Sequence, residues 1–148
     1  MPIGSVDWIE EGMVGSTLRR TRPSGSLGDG YEFEIRNQFF HGDHPLGWIR
    51  LLAVSLDSVL IESTNTFLIV RGQTIAAWQV PQIIDIWWHA CETASVFIKV
   101  PGRLNPGAHD IVCTIDFGSF FTPLVDVLNL RPTSRCELRA RLDLAEAQ

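Results

Sequence analysis

The residues of this chain that could do chemistry are four histidines, three cysteines and a scatter of carboxylates. His41-Gly-Asp43-His44 gathers two imidazoles and a carboxylate in one short loop. These are ligand types that suit zinc, iron or manganese. No Glu follows to complete a set: Pro45, Leu46, Gly47 and Trp48 come next, and His109 is far along the chain. The loop reads as solvated or interface-facing side chains, with no metal site in this chain. His89 and Cys91 could pair as imidazole and thiolate. Two residues apart, they point the same way only on a strand, and no acid orients the imidazole unless Glu92 or Asp85 folds back. Glycine-rich phosphate loops and a serine elbow are absent. The chain therefore carries no self-sufficient catalytic set.

The elements that must position these residues are strands. Tyr31, Phe33 and Ile35 alternate with Glu32, Glu34 and Arg36, the period of a half-buried strand. Leu51–Asp57 is a richer apolar run, as expected of a more central strand. Between them lies the His41–Trp48 loop, and the stretch Tyr31–Asp57 organises the rest. A strand is expected near Met13–Arg20, after an N-terminal arm over residues 1–12. Residues 21–30, TRPSGSLGDG, form a turn-rich, mobile connection. Val59–Ile61 is a short return strand, Thr66–Val70 is strongly β-prone, and Gln73–Trp78 begins a further strand. Ala94–Val100 and His109–Asp116 both alternate, and Pro101–Gly107 between them is turn chemistry, so the pair predicts a β-hairpin. Cys136, Leu138, Ala140, Leu142 and Leu144 alternate with charged residues in a last strand. Gln79–Glu92 is open between a short helix and an irregular loop. About eight short strands and little helix predict an all-β fold, an antiparallel β-sandwich.

The bulk numbers agree with one domain over residues 1–148. A chain of this mass buries roughly two-thirds of its extended surface, enough for a core without staples. The net charge of −5 gives a nucleic-acid role no electrostatic support. Cys91, Cys113 and Cys136 are an odd, widely spaced set, which argues against a disulfide framework or a zinc ribbon. Cys113 and Cys136 occupy apolar-phase positions and read as buried free thiols. Asp7, Glu10 and Glu11 interrupt any signal-peptide core, and no apolar stretch reaches a membrane span. A cytoplasmic location is expected. Trp87 and Trp88 cannot both enter one core, so at least one is expected at the surface or under a partner, where Trp is enriched at hot spots.

Several of these segments together resemble a known family. Gly30-Tyr31-Glu-Phe33-Glu-Ile35-Arg36, followed by Phe40-His-Gly42, Pro45-Leu46 and Ile49, is similar to the start of the small (β) subunits of bacterial C-glycoside deglycosidases. The order continues through the Asp57 turn, the strand-Arg-Gly step at Phe67–Gly72, Trp88 with Glu92-Thr-Ala94, and Gly102-x-Leu104-x-Pro-Gly107-x-His109. His41 stands where an Arg is expected, and the Asp57 turn lacks the usual Gly-Glu. The resemblance implies a non-catalytic subunit of a heteromeric carbon–carbon lyase. Its large subunit would be a (β/α)-barrel of the sugar-isomerase type that binds a divalent metal, commonly manganese, and carries the acid and base. The substrate would be a 3-oxo-C-glucoside of an aromatic aglycone. The 3-keto group acidifies the neighbouring C2 proton, and its loss drives expulsion of the aglycone. No cofactor is implied in this chain. A barrel-supporting partner needs an aromatic contact surface, for which His41, His44, Trp48, Trp87 and Trp88 are the candidates. Arg36 and His41 are candidates for the substrate rim.

Two other readings stand beside it. A stand-alone carbohydrate-binding sandwich would use exposed aromatics to stack on sugar faces. A single-chain metal enzyme would need His41, Asp43, His44 and His109 to converge.

Overall fold

The computed structural model describes residues 14–22, 27–37, 43–117 and 134–145. The arm expected over residues 1–12, His41, and the stretch 118–133 lie outside them. The long strands are β1 (Thr17–Thr21), β2 (Gly30–Arg36), β4 (Ile49–Leu56), β6 (Thr66–Val70), β7 (Gln73–Ala76), β9 (Thr93–Ile98), β10 (Gly107–Phe117) and β11 (Ser134–Leu144). Three two-residue strands complete the set: β3 (His44–Pro45), β5 (Val59–Leu60) and β8 (Trp87–Trp88). The expected all-β class is what the chain adopts.

Nine strands hydrogen-bond in the order β5-β4-β10-β11-β1-β2-β9-β6-β7, and β3 pairs with β8 separately. The sheet curls so that both halves feed one core. Val54, Ile115 and Leu138 from one half share an apolar cluster with Phe33, Leu68 and Val96 from the other. Two separate sheets were expected. Instead β1 is a seam, pairing in parallel with β11 through Thr17 and Leu18 and antiparallel with β2 through Arg19, Arg20 and Thr21. The last strand behaves as its alternation predicts, with Cys136, Leu138, Leu142 and Leu144 buried. Cys113 and Cys136 are buried free thiols, and burial pushes the Cys113 thiol up to about 12.

The hairpin expected from Ala94 to Asp116 does not form. β9 pairs with β2 and β6, and β10 pairs with β4 and β11, so residues 99–106 cross from one half of the sheet to the other. Two alternating runs around a breaker describe a crossing as well as a hairpin. The choice is made by partners distant in sequence. Tight hairpins occur elsewhere. Asp57 and Ser58 join β4 to β5, and Arg71 and Gly72 join β6 to β7, all at positive φ. Two successive left-handed residues match the twist of the flanking strands.

The segment left open between helix and loop, 79–92, contains one 3-10 turn, Val80–Gln82, and is then extended into β8. Pro81 is accommodated in the first turn, and the β-branched Ile83, Ile84 and Ile86 disfavour continued helix. The carbonyls of Ile83 and Ile86 accept instead from the N–H groups of Gly47 (2.8 Å) and Leu46 (2.9 Å). Of the turn-rich connection over residues 21–30, residues 23–26 lie outside the described set. Its flanks are tied together, with Arg22 Nε 2.9 Å from Asp29 Oδ1.

Candidate partner-docking surface

One end of the curled sheet is built from residues 43–48 and 80–92, the second segment leading there from Ala77. Its inward side is anchored by Ala77, Val80 and Trp88, all buried. Arg50 stitches the two segments, donating to the Gly47 (2.8 Å) and Pro81 (3.0 Å) carbonyls. In β8 the strand alternation sends the two indoles opposite ways. Trp88 is fully buried, and its Nε1–H donates to the Glu92 carbonyl at 2.9 Å, whereas Trp87 is 46% exposed.

His44 pairs with Trp88 in the β3–β8 ladder and is buried. Its ring stacks on Trp48 at 5.9 Å and meets Trp88 and Phe117 edge-on at 5.8 and 5.5 Å. Nδ1 lies 2.9 Å from the Pro45 carbonyl oxygen and so carries the hydrogen. Burial holds the His44 pKa below its usual value, so the ring is neutral. His44 and Trp88 therefore lie beneath the surface on which the sequence placed them. In β8 alternation gives Trp88 the inward phase, and both residues of β3 are buried. Trp48 is half-buried. Arg36 is exposed, with Nε 3.2 Å from the Cys91 carbonyl.

A polar clamp fixes the turn after Trp88. Asn37 is buried and donates through Nδ2 to the carbonyls of Trp88 (3.0 Å) and His89 (2.9 Å). Its backbone N–H donates to the Glu92 carbonyl, and its own carbonyl accepts from the Cys91 N–H. Arg71 donates to the Glu92 carboxylate and, at 2.7 Å, to the Trp87 carbonyl. Burial alone would raise the Glu92 pKa. The His89 N–H and the Arg71 guanidinium outweigh it, and the net shift is downward. Asp43 accepts from the Ala90 N–H at 2.7 Å and lies 3.3 Å from the His89 ring. The acid near His89 is thus Asp43, from the loop before β3.

Sequence reasoning missed Asn37, whose role depends on carbonyls from a distant turn. It also missed Trp78 and Ile84, which are 53% and 66% exposed and share the 78–87 segment with Trp87. An apolar residue flanked by buried Ala77 and Val80 but of the wrong phase was the available signal. Three large apolar side chains of this segment, Trp78, Ile84 and Trp87, are thus open to a partner.

The candidate metal ligands do not converge. His109 lies near the start of β10, and His44 packs on Phe117 at its end, about 26 Å of strand away at ~3.3 Å per residue. Among the described residues no group of three or more His, Cys, Asp or Glu is placed to hold a metal ion. None of the described helices is long and apolar enough to cross a membrane.

The described residues form a curled all-β domain whose exposed large apolar side chains include Trp78, Ile84 and Trp87. A family model described as C-glycoside deglycosidase beta subunit matches residues 10–119, and the chain belongs to that family. It is thus part of an enzyme and one subunit of a hetero-oligomer. No curated protein matches it.

Proposed function

We propose that this chain is the non-catalytic, bracing subunit of a lyase that cleaves the C–C bond between sugar and aromatic aglycone in 3-oxo-C-glucosides. Its partner is a (β/α)-barrel of the sugar-isomerase type, which supplies the acid, the base and a divalent metal such as manganese. That metal is proposed to sit in the barrel. The observation that carries the reading is exposed Trp87 on a turn locked by Asn37, Arg71 and Glu92, with exposed Trp78 and Ile84 earlier in the same segment. Rigid apolar surface of this kind suits a stable docking face and costs little ordering on association. Trp48 and the exposed Arg36 lie at the same end, where Arg36 would reach the substrate rim. His41 keeps the same proposed role. His44 and Trp88 support the face from beneath.

The test is reconstitution. The chain alone should release no aglycone from a 3-oxo-C-glucoside, and adding the barrel subunit with manganese should restore release. Release by the chain alone would contradict the reading. Exposed indoles also stack on sugar faces, so saturable sugar binding by the lone chain, with no association with a barrel, would favour the carbohydrate-binding reading instead.

A further inference from the structure

At the opposite end of the sheet, a cavity of about 630 Å³ opens between β1 and the 101–106 loop. That volume falls in the usual range for small-ligand pockets. Four arginines line it, Arg19, Arg20, Arg22 and Arg103, with Asp29 as the one lining carboxylate. Arg20 and Arg22 share Asp29, at 3.4 and 2.9 Å, and Arg19 pairs with Glu32. Arg103 pairs with no carboxylate among the described residues. Among the described residues, four cations against these two carboxylates leave a local excess of two positive charges, in a chain whose net charge is −5.

The loop that carries Arg103 is fixed at two points. The Leu104 N–H donates to the Tyr31 hydroxyl at 2.9 Å, and the Asn105 carbonyl accepts from His109 Nε2 at 2.7 Å. Leu18 and Tyr31, both buried, supply an apolar floor, and Leu104 an apolar wall.

We propose that this cavity binds a small organic anion, a phosphate or carboxylate joined to an apolar ring or chain. The anionic group lies among Arg20, Arg22 and Arg103, and the apolar part lies against the half-buried Leu104. Arginine forks match the oxygens of such groups in pairs, and a partly enclosed site strengthens each charged hydrogen bond. The site is separate from the docking face, and its failure would leave the subunit reading untouched.

The experiment is calorimetric titration of the full chain with phenyl phosphate, inorganic phosphate and phenol at low salt. Phenyl phosphate should bind saturably at one site and more tightly than inorganic phosphate, and phenol should not bind. Arg103→Ala and Arg22→Ala, both at exposed positions, should each weaken phenyl phosphate by about tenfold or more, the equivalent of one charged hydrogen bond. Their thermal unfolding should match that of the unaltered chain. Absence of saturable binding overturns the proposal, as does binding that neither substitution weakens or that inorganic phosphate equals. An Arg103→Ala chain that loses its barrel partner, when phenyl phosphate does not bind the unaltered chain, assigns the arginines to a protein contact and also overturns it.

Discussion

His109 and Asp57 hold each other between the start of β10 and the turn after β4. The imidazole Nδ1 is 2.7 Å from Asp57 Oδ2, and Nε2 is 2.7 Å from the Asn105 carbonyl oxygen. Both partners only accept, so both ring nitrogens carry hydrogen and the ring is an imidazolium. Asp57 also accepts from the Asp110 N–H, at 2.8 Å. The hydrogen bond to Asp57 raises the His109 pKa above 6.5 and lowers that of Asp57. A raised histidine pKa stabilises the fold fully below the unfolded value and loses that stabilisation as pH rises through the folded value. His109→Asn should therefore cost roughly 1–2 kcal/mol below pH 6.5, a figure discounted because Asp57 is half-exposed. The gap between the two chains should narrow as pH rises. Urea unfolding across pH measures it.

His44 should show the opposite sign. Its pKa is lowered by burial, so the unfolded chain takes the proton first as pH falls below 6.5. His44→Phe should remove this acid-side loss, making the variant's stability flatter with pH on that side. The aromatic contacts to Trp48 and Trp88 are of a kind Phe can keep. Thermal unfolding of the two proteins at pH 7 and on the acid side, compared with His44→Ala, separates titration from packing. The alanine variant should lose about 2–4 kcal/mol at both pH values through its cavity.

Asn37→Ala should cost about 2–4 kcal/mol, because it strips hydrogen bonds from two carbonyls in the Trp88–His89 turn. Glu92→Gln should cost less, about 1–2 kcal/mol, since the amide retains an acceptor for the Arg71 guanidinium. Amide hydrogen exchange should show the loss of protection concentrated at residues 87–92 in both variants.

Gly30→Ala should be strongly destabilising. A Cβ there would lie 2.4 Å from Phe97 Cζ and 2.5 Å from the Ile98 carbonyl oxygen. The ring can move, but the carbonyl belongs to the β2–β9 ladder and cannot, so the strands must part. A fall of about 3 kcal/mol or more in unfolding free energy is expected, read by chemical denaturation.

The sequence was most legible where one strand's own alternation decides burial, as in β10 and β11, whereas in β2 Glu32 is buried against the expected phase. Cys113, Cys136 and Leu138 fell on the inward side because a period of two leaves no choice once one face is apolar. Pairing was less legible. The 94–116 stretch has the grammar of a hairpin, but each strand meets other neighbours, a choice set by residues far away in the chain. Several short motifs proved to be two halves of the same contacts. The Asp57 turn meets His109, and the Arg71-Gly72 step meets Glu92. Spacing along the chain could show the halves and not their meeting. Asn37, Trp78 and Ile84 were missed because a lone amide or exposed apolar residue carries no periodic signal.

The most direct measurement is the affinity of this chain for its barrel subunit after truncating the exposed aromatics of the 78–87 segment. Trp78→Ala and Trp87→Ala should each weaken assembly by about 2 kcal/mol or more, roughly thirtyfold, and leave the fold intact. Leu60→Ala, a truncation of a still more exposed apolar residue on β5, should leave assembly unchanged. Unaltered affinity in both tryptophan variants, or a loss in Leu60→Ala alone, would contradict the account.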